Sequence, residues 1–313
     1  SMTQAEEATG GRFLLKGNVS EIRRQYSKLG ETLKLFAKPG PKNIDNAEDY
    51  EIRPGVQVRV YKPQEREGIL PVGVYCHGGG WALGDLNSED TLCRILCVSV
   101  PTVLVSVKYR LAPEHKYPAG LDDCEFAYKW AVDNVEMISG NKNRFYSIGG
   151  SAGGNLAIAM ALRTLEWEGP RINKGLIGIA PITVDPSVVP VEFKQRFEES
   201  LAKNTDSSMI DIPVMETFRA AYGVSSRSDP FFSVLLHKNL DALPTTYLVA
   251  CEKDPLGEDP QMFHEALLRA RVTSKLDYYA GYPHYFWTFP VQKTNEFNEN
   301  LILGVKWVIE SMP

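Results

Sequence analysis

The run RFYSIGGSAGGNLAIAMAL (144–162) reads as a strand that turns sharply into a helix, with Ser151 at the turn. An apolar strand segment, RFYSIGG, leads into Gly149-Gly150-Ser151-Ala152-Gly153, and the Ala-rich run NLAIAMAL follows directly. A strand-to-helix turn this tight needs glycines, because φ is strained there and Cβ atoms would clash. It lifts the serine hydroxyl above the sheet at a helix N-terminus. Five residues with three fixed positions arise readily by chance, so the weight rests on the placement between strand and helix. The plainer alternative is a glycine-rich turn whose serine only caps the helix.

Outward from that turn the chain alternates strand-like and helix-like runs. VQVRVY begins at residue 56, then come LPVGVYC (70–76), a helix near 88–99, TVLVSVKY (102–109) and a helix near 120–138. After the serine come a helix near 152–166, a strand near 175–180, PTTYLVAC (244–251), a helix near 259–271, SKLDYYA (274–280) and a final helix near 294–311. Short apolar runs separated by helices predict an α/β architecture: a mostly parallel central sheet covered by helices on both faces, its first hairpin antiparallel. Residues 1–50 read as helical before any strand. Residues 185–232 replace a regular unit with Pro-bounded helices. There Phe193, Phe197 and Leu201, then Met215, Phe218 and Tyr222, form apolar stripes at helical spacing. Insertions in open α/β sheets sit over the carboxyl ends of the strands, so these stripes are candidates to roof a pocket as well as ordinary packing faces.

Composition narrows the class. With 313 residues, 43% of them hydrophobic, the chain can bury one large core. A net charge of -5 gives no basic surplus, so nucleic acid and anionic membranes are not expected partners. No apolar run reaches the roughly 18 residues of a membrane span. Residues 1–10 lack the basic and apolar regions of a secretory leader, and the five scattered cysteines read as reduced thiols, so a cytoplasmic location is expected. On that reading the sequon Asn18-Val19-Ser20 is a chance match.

Three further groups complete a candidate constellation around Ser151. His77-Gly78-Gly79-Gly80-Trp81 follows the strand LPVGVYC, and its bare backbone N–H groups, with that of Ala152, can approach a tetrahedral oxyanion. Glycine loops also cradle phosphates, but neither G-x-G-x-x-G nor a P-loop pattern occurs. Of five histidines, those after the serine are His237, His264 and His284. His264 falls in a helical pattern and His237 near the end of the insertion. His284 lies in the loop between the last strand and last helix, where an imidazole can reach the serine. The acid belongs in the loop after TTYLVAC, and Asp254 is the choice there. Glu252 is too close to the strand, while Glu258 and Asp259 read as first-turn helix residues. His77 reads as a structural anchor of its loop. No H-E-x-x-H or clustered Cys/His pair suggests a metal, and no cofactor is implied.

With HGGGW (77–81), GDLNSED (84–90), YRLAPEHKYPAGLDD (109–123), GGSAGGNLA (149–157), DPL (254–256) and YPHYF (282–286) in this order, the chain resembles the hormone-sensitive-lipase-like esterases. The resemblance covers residues 50–311. It implies an α/β-hydrolase fold with core segments 51–184 and 233–313, and a helical cap made of residues 1–50 and 185–232. It also implies an oxyanion hole drawn from Gly78, Gly79, Gly80 and Ala152, and scaffold turns in which the Ala112-Pro113 and Tyr117-Pro118 bonds suit a cis geometry. Many members carry an acidic residue before the nucleophile, where this chain has Gly150. Whatever that side chain anchors must be absent or supplied elsewhere.

The expected activity is hydrolysis of a small uncharged carboxylic ester through an acyl-enzyme, with Trp81, Tyr285, Phe286 and Trp287 offering apolar contacts to the substrate. A natural-product ester or lactone is the expected physiological class. Two rivals share the fold: a binding receptor without turnover, and cleavage of amides, formamides or peptides, since the triad does not choose the leaving group. A homodimer is compatible with the general frequency of two-fold assemblies.

Overall fold

The computed structural model describes residues 6, 11–35, 41, 47–64 and 68–312. Eight strands form one sheet: β1 (Glu48–Arg53), β2 (Val56–Tyr61), β3 (Leu70–Cys76), β4 (Val103–Lys108), β5 (Gly140–Gly150), β6 (Asn173–Ile179), β7 (Thr245–Lys253) and β8 (Ser274–Pro283). Their spatial order is β1-β2-β4-β3-β5-β6-β7-β8. β1 with β2 and β2 with β4 are antiparallel, and every later pairing is parallel. This is the α/β-hydrolase fold that the alternating pattern and the resemblance imply.

Helices α1 (Val19–Lys34), α2 (Asp90–Ser99), α3 (Ala119–Asp133), α4 (Ala152–Arg163), α5 (Val191–Lys203), α6 (Ile212–Tyr222), α7 (Asp259–Arg269) and α8 (Lys293–Glu310) surround the sheet. All seven residues of β3 are buried, as are the last six of β5. That is the continuous apolar run of a strand covered on both faces. In α4 every residue from Ala152 to Leu162 is buried, so the helix behind the serine has no solvent face.

One strand departs from the sequence reading. β1 begins where residues 1–50 were expected to be helical; its sequence EDYEIR is mostly charged, and its alternation is only the pair Tyr50 and Ile52, too short to mark a strand. Charge suits its place, because it is an edge strand whose outer backbone groups would otherwise invite pairing with another chain. Elsewhere in the expected N-terminal helical region, α1 spans Val19–Lys34 while residues 11–18 are non-helical, and residues 1–5, 7–10, 36–40 and 42–46 lie outside the described set. Asn18 caps α1: its side chain accepts the Glu21 N–H at 3.1 Å, and Glu21 returns a carboxylate to the Asn18 N–H at 2.9 Å.

The two apolar stripes of the insertion face inward. Phe193 and Phe197 of α5 are buried, as are Met215, Phe218 and Tyr222 of α6, while Leu201 is half-buried. Each fully buried side chain of this kind contributes roughly 1.5–3 kcal/mol. The N-terminal segment meets the insertion directly: Leu14 bridges Met209, and the Met209 N–H donates to Phe13 O at 2.8 Å. The insertion also reaches the end of β7, where Asn204 donates to Glu252 O at 2.9 Å and Ser207 to Lys253 O at 2.7 Å. Both Ala112-Pro113 and Tyr117-Pro118 are cis. No helix among the described residues is long and apolar enough to cross a membrane. The five cysteines are buried, and none of them is in a disulfide.

Candidate active site

Ser151 sits between the last residue of β5 and the first of α4 with φ 55° and ψ −123°, a conformation L residues hold only when their surroundings impose it. Its N–H donates to Ile179 O at 2.8 Å, and its carbonyl accepts from Asn155 at 3.1 Å, opening α4. The glycine at 153 has a direct cause. A Cβ there would stand 2.1 Å from Cys76 O and 2.3 Å from His77 O, so the turn lies flat against the end of β3. The N-terminus of α4 thereby points its unpaired N–H groups and positive dipole end at the serine.

His284 and Asp254 follow the ends of β8 and β7, two neighbouring parallel strands. His284 Nδ1 lies 2.6 Å from Asp254 Oδ2, and His284 Nε2 lies 3.0 Å from Ser151 Oγ. All three side chains are buried. Asp254 Oδ1 also accepts the Leu256 N–H at 2.8 Å, which fixes the plane of the carboxylate. A carboxylate only accepts, so the imidazole proton belongs on Nδ1 and Nε2 is left as acceptor for the serine hydroxyl. The other histidines stand apart: His264 pairs with Ser274 Oγ at 2.8 Å, and His237 accepts from Asn239 N–H at 3.1 Å.

The glycine loop divides into two parts. Gly79 (φ 114°) and Gly80 (φ 58°) take the left-handed backbone that turns the loop back beneath the serine. Among the described residues, the N–H groups of Gly79, Gly80 and Ala152 donate to no protein acceptor. Gly78 differs, because its N–H already donates to Glu89 Oε1 at 3.0 Å. Gly78, expected among the oxyanion donors, thus has its N–H engaged by Glu89. His77 anchors the loop as expected: Nδ1 lies 2.8 Å from Gly78 O and the ring stacks on Tyr109 at 4.2 Å. Burial pushes its imidazole down to about 4, so it stays neutral near pH 7.

The four aromatic residues expected at the substrate separate into two groups. Trp81 is buried, stacks on Tyr222 of α6 at 4.4 Å, and its Nε1 has no partner among the described residues. Tyr285 follows His284 and donates its hydroxyl to Glu89 Oε1 at 2.7 Å. Phe286 and Trp287 instead pack on α8: both rings lie against Phe297, Trp287 stacked at 4.3 Å and Phe286 edge-on at 5.7 Å. Their contacts are those of core residues. They follow the left-handed turn at Tyr285 (φ 55°), and the Trp287 ring also lies 4.6 Å from that of Tyr285. From the insertion, Phe218 approaches the glycine loop so closely that a Cβ on Gly80 would meet its ring at 2.3 Å.

Two polar residues went unassigned in the sequence. Glu89 lies within the GDLNSED run but shows no pattern of its own. Asp259, read as a first-turn helix residue, does open α7, yet its Oδ1 accepts the N–H groups of Thr183 and Val184 at 2.6 and 3.2 Å, tying the start of the insertion to the core. Burial raises its carboxyl to about 7.

A sheet of this order with a serine turn after β5 defines an α/β hydrolase, and the family model described as the alpha/beta hydrolase fold matches residues 73–288. The chain belongs to the hormone-sensitive-lipase-like family of that superfamily and is a carboxylic ester hydrolase. It is similar to the versiconal hemiacetal acetate esterase of Dothistroma septosporum, with 37% identity over 98% of this chain and 94% of the relative. It is also similar to the carboxylesterase NlhH of Mycobacterium tuberculosis, with 34% identity over 71% of this chain and 68% of the relative. Among solved structures, vibralactone cyclase superposes with a TM-score of 0.85 at 27% identity, covering 95% of this chain and 91% of that one. A hyperthermophilic esterase from the archaeon Pyrobaculum calidifontis gives 0.84 at 28% identity, covering 98% and 97%.

Proposed function

We propose that the chain hydrolyses small, uncharged carboxylic esters by a two-step acyl transfer in which Ser151 is the nucleophile, His284 the base and Asp254 the residue that orients it. The observation that carries this reading is the continuous buried chain from Asp254 Oδ2 through His284 to Ser151 Oγ, with links of 2.6 and 3.0 Å. Ser151 Oγ attacks the ester carbonyl as its proton passes to His284 Nε2, and the Asp254 carboxylate stabilises the imidazolium that forms. The negative charge developing on the carbonyl oxygen meets the N–H groups of Gly79, Gly80 and Ala152 at the positive end of α4. Collapse breaks the bond to the alcohol, which leaves with the proton from Nε2, and the acyl group stays on Ser151. Water then gives a proton to Nε2 and its oxygen to the acyl carbon; the bond from that carbon to Ser151 Oγ breaks, the Nε2 proton passes to Oγ, and the carboxylic acid leaves.

The substrate side is apolar. Trp81 stacked on Tyr222, with Phe218 against Gly80, supports a roof of α6 over the glycine loop. We assign this roof to a cap formed by the insertion and the N-terminal segment. The relative at 37% identity is named for an acetate ester, which favours a short acyl group on a natural-product alcohol; a lactone is the neighbouring class. The test is hydrolysis of p-nitrophenyl acetate. Ser151→Ala and His284→Ala are expected to lose turnover while remaining folded, and unchanged hydrolysis by Ser151→Ala would refute the mechanism. A matched ester and anilide pair separates ester from amide preference.

A further inference from the structure

The hydroxyl of Tyr285 occupies space that a side chain at position 150 would need. A Cβ built on Gly150 would lie 2.0 Å from Tyr285 Oη, and one on Gly78 would lie 2.4 Å from it. The phenol is therefore wedged between the glycine loop and the residue preceding Ser151, while its backbone adjoins His284. One carboxylate holds it there. Glu89, at the N-terminus of α2, accepts Tyr285 Oη–H at 2.7 Å and the Gly78 N–H at 3.0 Å on the same oxygen, and Tyr75 Oη–H on the other. A single side chain thus ties the first glycine of the loop to the residue after the base.

We propose that Glu89 and Tyr285 are a positioning pair that keeps the His284 loop and the glycine loop in register, taking the place of an acidic side chain before the nucleophile. Gly150 is bare because Tyr285 Oη fills its side-chain space. This rests on the reading of Ser151, His284 and Asp254 given above. Three donors on one carboxylate explain why the pair is specific: Gln at 89 keeps the shape but loses the charge, and Phe at 285 keeps the ring but cuts the link. The groups facing Glu89 are Tyr75 of β3, Tyr26 of α1, Cys93 of α2, Tyr109 after β4, and Tyr285 and His284 after β8. Burial pushes the Glu89 carboxyl up, and its three donors and a protonated His284 act against that. Glu89 and His284 therefore interact through their charges.

The experiment compares the full-length wild-type chain with Glu89→Gln, Tyr285→Phe, Gly150→Ala, the Gly150→Ala/Tyr285→Phe double variant and Ser151→Ala. Each is assayed on p-nitrophenyl acetate from pH 5 to 9, with thermal melting as the folding control. Glu89→Gln and Tyr285→Phe are expected to lose roughly ten- to a hundredfold in kcat with little change in KM, the cost of a misplaced catalytic group. Glu89→Gln should also move the acid limb of kcat/KM to lower pH, which a purely structural role would not do. Gly150→Ala should lose more, and removing the opposing hydroxyl in the double variant should restore part of that loss. Wild-type kcat and pH profile in both Glu89→Gln and Tyr285→Phe, with Ser151→Ala inactive, would overturn the positioning pair and leave the site reading standing. Activity surviving in Ser151→Ala would overturn both.

Discussion

Asp254→Asn changes one atom and should disable the base through its tautomer. The Asp254 carboxylate serves two donors, the Leu256 N–H at 2.8 Å and His284 Nδ1 at 2.6 Å. An asparagine has one acceptor oxygen. The Leu256 N–H is fixed by its turn and claims that oxygen, so the amide NH2 is turned onto His284. Nδ1 must then accept, which moves the ring proton to Nε2, where it donates to Ser151 Oγ and cannot take the serine proton. Loss of the correct tautomer with the geometry intact costs about 10⁴-fold in kcat, or about 5.5 kcal/mol of barrier. The assay is kcat on p-nitrophenyl acetate at pH 8 beside a melting curve, with the melting temperature expected to change little. A loss of less than about tenfold from folded protein would show that Asp254 does not set the tautomer.

Three further outcomes follow from packing and charge. The Asp259 carboxyl is raised by burial from 3.8 to about 7, so the folded state binds the extra proton between those values, and stability falls as pH rises through that window. Asp259→Asn should therefore gain relative to wild type between pH 5 and pH 8, by a few kcal/mol in order of magnitude, read from urea midpoints; a pH-independent difference would contradict this. Gly153→Ala would set a Cβ 2.1 Å from the carbonyl oxygen of Cys76, and a backbone overlap of that kind should cost ~3 kcal/mol or more; urea unfolding at wild-type stability would be the contrary result. Phe218→Ala should lower stability by about 3 kcal/mol, because a buried aromatic ring against Gly80 is removed, and a midpoint shift under about 1 kcal/mol would place that ring outside the core.

The central sheet was legible because its inner parallel strands, β3 above all, are nearly unbroken buried apolar runs between helices. β1 was not, since this mostly charged edge strand offers the core only Tyr50 and Ile52, an alternation of two residues. Ser151, Asp254 and His284 could be picked from turn chemistry and chain order alone, and the structure brings them together within hydrogen-bond reach. Residue type could not divide the aromatic group: Tyr285 adjoins the glycine loop while Phe286 and Trp287 join α8, and the left-handed turn at Tyr285 that separates them leaves no mark in the sequence. Glu89 was hidden for a related reason. Its role depends on three donors brought from β3, the glycine loop and the loop after β8, none of them near it in a periodic pattern. The absent side chain at Gly150 was the only sequence clue that some other residue stood there.

The most direct test of the account is reaction of the intact protein with a fluorophosphonate probe, followed by mass spectrometry and mapping of the modified residue. One adduct on Ser151, lost in His284→Ala although that variant stays folded, is the predicted result and would identify an activated nucleophile. No adduct on folded wild-type protein, or an adduct on another residue, would contradict the assignment of Ser151, His284 and Asp254.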